Sequence, residues 1–270
     1  MNKSLFLGLK KFGMQDIINQ EIEIEAKKQS EKIVEQSVLD QNISQENKKL
    51  DINKYIYAKK FHCPCCAFDF ASYVVKEKRL KFEGLDFDLR PLYIPINPFF
   101  YDIVICPLCG YSSLKDYFNS LTEPQKKAIQ FKISPTFKYN ESPLELCTSS
   151  ALDRYNMALL NCMVKKGTNG ERAYILMKIM WIYSIKGDLK SQKTFATLTI
   201  KYFKTALEKE LLPIMGIGGD TLNYIIGTLY MFLGNKDVGL RYISSVILSK
   251  TSSRLKIMAQ NIKDGIMKIT

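Results

Sequence analysis

Histidine is nearly missing from this 270-residue chain, where His62 stands alone. Imidazole is the side chain that ordinarily titrates near neutral pH, so its scarcity removes most general acid–base chemistry, including Ser-His-Asp and Cys-His schemes. Long apolar runs are missing too. No segment reaches the roughly 18 uninterrupted apolar residues that span a bilayer, and no membrane helix is expected. A secretory leader is not expected either: Lys3 precedes a short Leu5-Phe6-Leu7, Lys10 and Lys11 break the run, and no small-residue cleavage site follows. These absences read as a cytoplasmic protein with reduced thiols. The glycine-rich stretch Ile214-Met215-Gly216-Ile217-Gly218-Gly219 is followed by no Lys-Ser/Thr and preceded by no clear strand. It matches neither phosphate-loop fingerprint and reads as a helix connection.

What is present is ordinary for a globular protein, with 46% apolar and 24% charged residues. The length suits one large or two moderate domains. The net charge of +12 is spread unevenly: residues 1–50 carry 8 basic and 8 acidic groups, 51–147 carry 13 and 11, and 148–270 carry 18 and 8. The C-terminal half therefore holds the basic excess. Such a surface can attract an acidic protein, a nucleic acid or an anionic membrane, or can simply be a solvated face.

Four of the seven cysteines organise the chain. Cys63-Pro64-Cys65-Cys66 and Cys106-Pro107-Leu108-Cys109 are two Cys-x-x-Cys turns, the usual sign of a tetrahedral zinc site. Two intervening residues let both sulfurs of a tight turn point at one ion about 2.3 Å away. Proline sets the backbone of the turn, and Gly110 can adopt positive φ where the chain reverses. The pairs are separated by 39 residues, more than the usual ribbon spacing of about 15–20, so intervening strands are expected to bring the turns together. Four thiolates point to a closed, structural Zn2+ site held by Cys63, Cys66, Cys106 and Cys109, because a catalytic zinc keeps an open position. A thioredoxin-like motif would need a βαβ setting, which the pattern lacks, and thiol-disulfide oxidoreductase is the remotest reading.

His62 neighbours Cys63 and could replace a thiolate, but adjacent residues rarely serve one ion in this turn, so a surface or supporting role is expected. Cys65 is read as facing away from the metal, with an alternative-ligand or redox-sensitive role left open. Cys162 lies on an apolar helical stripe and reads as core; Cys147 stands at a predicted helix start. Asp86, Asp88 and Asp102 alternate with apolar residues, which predicts outward-facing or structural carboxylates; Asp102 is a candidate to accept a backbone hydrogen bond at the second turn.

The expected fold class is α+β, mostly α, in three parts. Residues 1–54 read as a polar, partly helical N-terminal extension without sustained heptads, ending in a Gln/Asn/Ser-rich linker. Residues 55–147 read as a small zinc-ribbon-like β module with short helices. Phe68 and Phe70 lead a strand that continues through Val75, and Tyr101, Ile103 and Ile105 lead into the second turn. A short helix is predicted after Gly110, and Thr122 with Gln125 forms a capping box for another. Residues 133–147 read as a crossing loop. Residues 148–270 read as a tetratricopeptide-like helical domain of six amphipathic helices. Their stripes are Leu152–Met163, Leu176–Tyr183, Phe195–Ala206, Leu222–Leu229, Leu240–Ile247 and Leu255–Ile266, with Gly187-Asp188 as C-cap and N-cap. Gly187 and Gly234 lie 47 positions apart, longer than the roughly 34 of a strict tetratricopeptide repeat. The segment Gly227-x-Leu229-Tyr230-x-x-Leu233-Gly234 matches that repeat in part, with Gly239 near the place where the repeat has Ala.

Lys190, Lys193, Lys201, Lys204 and Lys209 recur along one helix with Tyr202 and Phe203 among them. A nucleic-acid groove would use such charges on phosphates and such rings for stacking; a wet helix face over buried rings is the plainer reading.

The order Cys-Pro-x-Cys near Phe68 and Phe70, then Arg79 with Asp86 and Asp88, then Asn97-Pro98-x-x-Tyr101-Asp102-x-x-x-Cys106-Pro107-x-Cys109-Gly110-Tyr111, resembles a bacterial family labelled only as a domain of unknown function, number twenty-two twenty-five. The resemblance covers roughly residues 57–265. Two departures stand out: Ala67 replaces the Gly that usually follows the first pair, and Cys65 adds a third thiol. The resemblance implies a zinc-binding β module fused to a tetratricopeptide-like array and supplies no activity. The functional expectation is a non-enzymatic interaction or scaffold protein whose basic helical surface, with Lys190, Lys193, Lys201 and Lys204, meets an acidic or peptide-like protein partner. A nucleic-acid-binding regulator using the zinc module and the basic face is the alternative.

Overall fold

The computed structural model describes residues 50–141 and 143–265. The N-terminal extension and linker up to Lys49 lie outside the described residues, as does Ile266 of the last predicted stripe. β1 (Ile56–His62) pairs antiparallel with β2 (Asp69–Val75), from Ile56 opposite Val75 to His62 opposite Asp69. β3 (Lys81–Leu85) and β4 (Pro91–Ile94) form a second hairpin, and β5 (Ile103–Ile105) and β6 (Ser112–Leu114) a third. The hairpins are three separate two-stranded sheets. Each cysteine turn is the tip of its own hairpin, so intervening strands do not join the two turns in one sheet. The short helix expected after Gly110 is also corrected. Ser112–Leu114 is buried and pairs with Ile103–Ile105, and only Lys115–Tyr117 makes a single 3-10 turn.

Helix α1 (Glu123–Lys132) opens with the expected capping box, in which the Thr122 N–H donates to Gln125 Oε1 at 3.2 Å. After the loop come α2 (Thr148–Val164), α3 (Asn169–Lys186), α4 (Leu189–Lys209), α5 (Gly219–Phe232), α6 (Lys236–Leu248) and α7 (Ser253–Lys263). They fall on the predicted stripes, and each packs on the next. Gly187 closes α3 at φ 75°, and Asp188 caps α4 by accepting from the Ser191 N–H at 3.0 Å. Gly239 is the small residue where α6 meets α5: a Cβ there would lie 2.8 Å from the Gly227 carbonyl oxygen. The chain is thus α+β and mostly α.

The cysteine-bearing half and the helices share a core. One buried cluster extends from Ile52 through the hairpins and α2–α4 to Leu229. Tyr155 Oη donates to the Phe99 carbonyl at 2.8 Å, and Asn161 Nδ2 donates to the Gly110 carbonyl at 3.1 Å and Ser112 Oγ at 2.7 Å. The Asn161 bonds fix the tip of the third hairpin to α2, and the Tyr155 bond fixes the turn that precedes β5. The turn between β3 and β4 reaches further. Its Phe87 carbonyl accepts from Tyr224 Oη at 2.9 Å, and the Phe87 ring packs on Phe232 of α5.

Asp88 lies in that turn and is buried, not outward-facing. Tight reversal turns the alternating pattern inside out here, because the chain leaves the strand at Leu85. Asp86 pairs with Arg90, and the Arg90 N–H donates to Asp88 Oδ1 at 3.2 Å. Burial pushes the Asp88 carboxyl up to about 6, helped by the Asp86 charge and opposed by Arg90. A carboxyl with a raised folded pKa binds its proton more tightly in the folded state. Its stabilising share is complete below about pH 4 and lost as pH rises through about 6. Asp88→Asn is therefore expected to match the wild type near pH 4 and to exceed it by about 3 kcal/mol at most near pH 7. Chemical denaturation at both pH values checks this; equal stability at neutral pH contradicts it.

Candidate metal centre

The two cysteine turns share one backbone design. In the first, the Cys63 N–H donates to the Phe68 carbonyl at 3.0 Å and the Ala67 N–H to the Cys63 carbonyl at 2.9 Å. In the second, the Cys106 N–H donates to the Tyr111 carbonyl at 2.8 Å and the Gly110 N–H to the Cys106 carbonyl at 3.0 Å. The residue after each second cysteine is left-handed, Ala67 at φ 60° and Gly110 at φ 72°. Ala67 therefore holds a conformation that costs a residue with a Cβ roughly 1–2 kcal/mol. Gly110 has a further reason to be glycine, since a Cβ would lie 2.5 Å from Phe137 Cγ.

The hairpin tips meet sulfur to sulfur. Cys63 Sγ lies 3.6 Å from Cys109 Sγ, Cys66 Sγ lies 3.6 Å from Cys106 Sγ, and all four sulfurs fall within 4.8 Å of one another. Both short contacts cross from one turn to the other. A disulfide would need about 2.0 Å, and all seven cysteines are free thiols. Four sulfurs around one tetrahedral ion at 2.3 Å stand about 3.8 Å apart, close to the spacing found. The donor set fits as well: Cys63, Cys106 and Cys109 are buried and Cys66 half-buried. Four thiolates cannot share that space uncompensated. Hydrogen bonding with Cys106 pushes the Cys63 thiol up to about 12 and holds Cys109 far above the ordinary thiol range. Cys106, accepting from Cys109 and Cys63, is lowered. A cation among the sulfurs removes this conflict, because metal ligation requires the deprotonated form. Cys63, Cys66, Cys106 and Cys109 are thus positioned to hold one metal ion.

Other contacts brace the pair of tips. Phe118 packs edge-on against Phe61 and Phe70 of the first hairpin at 5.7 and 6.0 Å, and lies tilted against Tyr111 of the third at 4.9 Å. From α1 and the residues after it, Gln130 Nε2 donates to the Cys65 carbonyl at 2.7 Å and Ser134 Oγ to the Cys109 carbonyl at 2.9 Å. Spacing in the sequence gave no sign of these clamps; they arise from where the loop after β6 lays α1.

The remaining sequence candidates separate cleanly. The His62 ring is exposed and bonds Asp69 through Nδ1 at 2.7 Å, outside the sulfur cluster. Cys65 is buried with its thiol 4.0 Å from the Lys126 carbonyl, and hydrogen bonding with Cys109 lowers its pKa. Cys162 is core, pushed up to about 12 by burial. Cys147 is the exposed N-cap of α2, lowered to about 7 by the Ser149 and Ser150 hydroxyls. The Asp102 carboxylate faces Lys115 at 3.4 Å and Lys178 at 3.8 Å, so its side chain serves ion pairs.

The predicted lysines lie on α4 and divide in two. Lys190 and Lys193 are exposed near its start. Lys201 and Lys204 line a groove of about 640 Å3 with Thr197, Thr205, Tyr230 and Asn235. Tyr230 stacks on Tyr242 at 5.9 Å. Tyr202 and Phe203 are buried, so the rings between the lysines belong to the core. Among the described residues no helix is long and apolar enough to cross a membrane.

Fold and site together define a class: two cysteine-tipped hairpins able to grip a metal ion, fused through a common core to stacked helices. The chain belongs to the family described as "Uncharacterized protein conserved in bacteria (DUF2225)", whose model matches residues 56–266. An uncharacterized protein of Borreliella burgdorferi is 25% identical over 225 residues, covering 68% of this chain and 80% of that relative. No solved structure matches.

The turn geometry gives an opposed pair of expectations. Ala67→Gly relieves the left-handed alanine and raises stability by about 1 kcal/mol. Gly110→Ala introduces both that strain and a clash with Phe137, lowering stability by about 2 kcal/mol or more. Thermal unfolding of the two variants checks the signs; a neutral Gly110→Ala would contradict the assigned turn.

Proposed function

We propose that this chain is a non-enzymatic, cytoplasmic interaction protein in which zinc fixes one end and the tetratricopeptide-like helices hold an acidic, extended segment of a partner protein. The zinc reading rests on donor chemistry. Four thiolates in a closed, largely buried set suit a d10 ion that needs neither redox change nor an open position. In small peptides such ions contribute about 10–16 kcal/mol to folding. Cys106→Ser is therefore expected to unfold the hairpins rather than to impair a reaction. Hydrogen exchange would show the amides of residues 56–75 and 103–114 losing protection together with metal; retained protection without metal would sink the structural-zinc reading.

The partner reading rests on the groove between α4 and α5. Lys201 and Lys204 stand on one wall, Tyr230 and Asn235 on the other, and Glu208 is the single carboxylate among the described residues of its lining. The Lys204 ammonium is held above its usual range chiefly by Tyr230 and Tyr242. Two cations beside an aromatic wall suit a chain bearing carboxylates next to apolar side chains. A photo-crosslinker at Thr205, used in cells, is expected to capture one acidic protein. Lys201→Glu with Lys204→Glu should reduce that capture about tenfold while leaving the fold and metal content intact. Capture that survives charge reversal, or no capture at all, refutes the reading.

A further inference from the structure

A second cleft lies on the cysteine-bearing half, independent of the α4–α5 groove. Two adjoining hollows share Glu77, Lys115 and Asp116 as a common wall. The outer hollow, about 490 Å3, runs beside β1 and β2 and is lined by Tyr57, Lys59, Lys76, Lys78 and Arg79. The inner hollow, about 240 Å3, passes Tyr93 and Phe99 to reach Asp102 and Lys178.

Part of this cleft's charge is local, in the run Lys76-Glu77-Lys78-Arg79, and part is gathered by folding. Residues 51–147 are nearly balanced, with 13 basic and 11 acidic groups. Among the described residues the fold nevertheless gathers six cations, Lys59, Lys76, Lys78, Arg79 and Lys115 from that segment and Lys178 from α3, against three carboxylates, Glu77, Asp102 and Asp116. Two of those carboxylates are already engaged from within. Lys115 lies 3.3 Å from Glu77 and 3.4 Å from Asp102, and Lys178 adds a contact to Asp102 at 3.8 Å. Lys178 is itself buried among Trp181, Tyr174 and Phe99, with its Nζ 4.6, 5.1 and 5.6 Å from their ring centres. Burial lowers the Lys178 pKa and Asp102 opposes that shift; the ammonium beneath Asp102 offsets part of that carboxylate's repulsion of a polyanion. At the mouth, Lys78 and Arg79 are exposed on the single 3-10 turn Glu77–Arg79 and make no ion pair among the described residues.

Rings stand among these charges. Tyr57 is 45% exposed in the outer hollow, and Phe82, 46% exposed, packs on Tyr93 at 5.4 Å beside the inner one. Cations spaced between accessible aromatic faces fit one ligand chemistry better than others: phosphodiesters joined to bases free to stack. A duplex keeps its bases stacked on each other and could use only the cations.

We propose that this cleft binds single-stranded nucleic acid, with phosphates along Lys59, Lys76, Lys78 and Arg79 and a base stacked on Tyr57. The site is separate from the protein-binding groove and stands whether or not that groove has a partner.

The test uses the full, zinc-loaded chain and a fluorescein-labelled oligouridylate of about 12 nucleotides, read by anisotropy over a range of salt. Binding should weaken steeply with salt and exceed that of a duplex of equal length. Lys78→Glu with Arg79→Glu should weaken it about tenfold or more and reduce the salt slope by about two. Tyr57→Ala should cost about tenfold with little change in slope. Lys201→Glu with Lys204→Glu, on α4, should stay within about twofold of the wild type. Circular dichroism and metal content verify each fold, and Lys59→Glu replaces the double variant if that one fails to fold. No salt-dependent binding, equal binding of the duplex, indifference to the cleft substitutions, or an equal loss in the α4 variant would overturn the proposal.

Discussion

Two hairpins that share no sheet meet tip to tip through four sulfurs, and the rest of the cysteine-bearing half is arranged around that meeting. Backbone hydrogen bonds hold β1 to β2 and β5 to β6, but none of the three sheets includes strands from both cysteine hairpins. Thiolates crowded to 3.6 Å repel unless protons or a cation intervene. The constraint is therefore electrostatic before it is steric. A metal ion held by the four sulfurs would turn this crowded cluster into the contact that joins the two ribbons, while Phe118 and the α1 clamps fill the space behind it.

From that junction the structure extends in one direction. Asn161 and Ser112 tie the second tip to α2, the shared core continues through α3 and α4, and the β3–β4 turn bridges to α5. Fixing the ribbons thus also fixes two surfaces of different character. The α4–α5 groove is a concavity between helices with two lysines. The cleft beside β1 and β2 joins the run Lys76-Glu77-Lys78-Arg79 to Lys59, Lys115 and, from α3, Lys178. Net charge by segment pointed only to the first, because charge counted along a chain ignores which residues the hairpins bring together.

Much of the architecture was legible in the residues. The Cys-x-x-Cys pairs named the sulfur cluster, because ligand spacing within a turn is a local property. The stripes from Leu152 onward named six helices, and the Thr122–Gln125 and Gly187–Asp188 signals marked helix ends, for the same reason. What failed was non-local. Ser112–Leu114 carries no alternation, and its pairing with Ile103–Ile105 makes it a strand. Asp88 follows an alternating run, yet the turn after Leu85 carries it inward. Ala67 looked like a blemish in the first turn, and the backbone shows it doing the work of Gly110 at some cost in strain. Lys178, mid-helix and unremarkable in sequence, proved to be a buried cation under Asp102.

The central claim is that Cys63, Cys66, Cys106 and Cys109 grip a single ion. X-ray absorption at the zinc edge of the purified protein tests it most directly. One zinc per chain with a shell of four sulfurs at about 2.3 Å is the predicted result. A folded protein without metal, or a shell containing nitrogen or oxygen in place of sulfur, would contradict it.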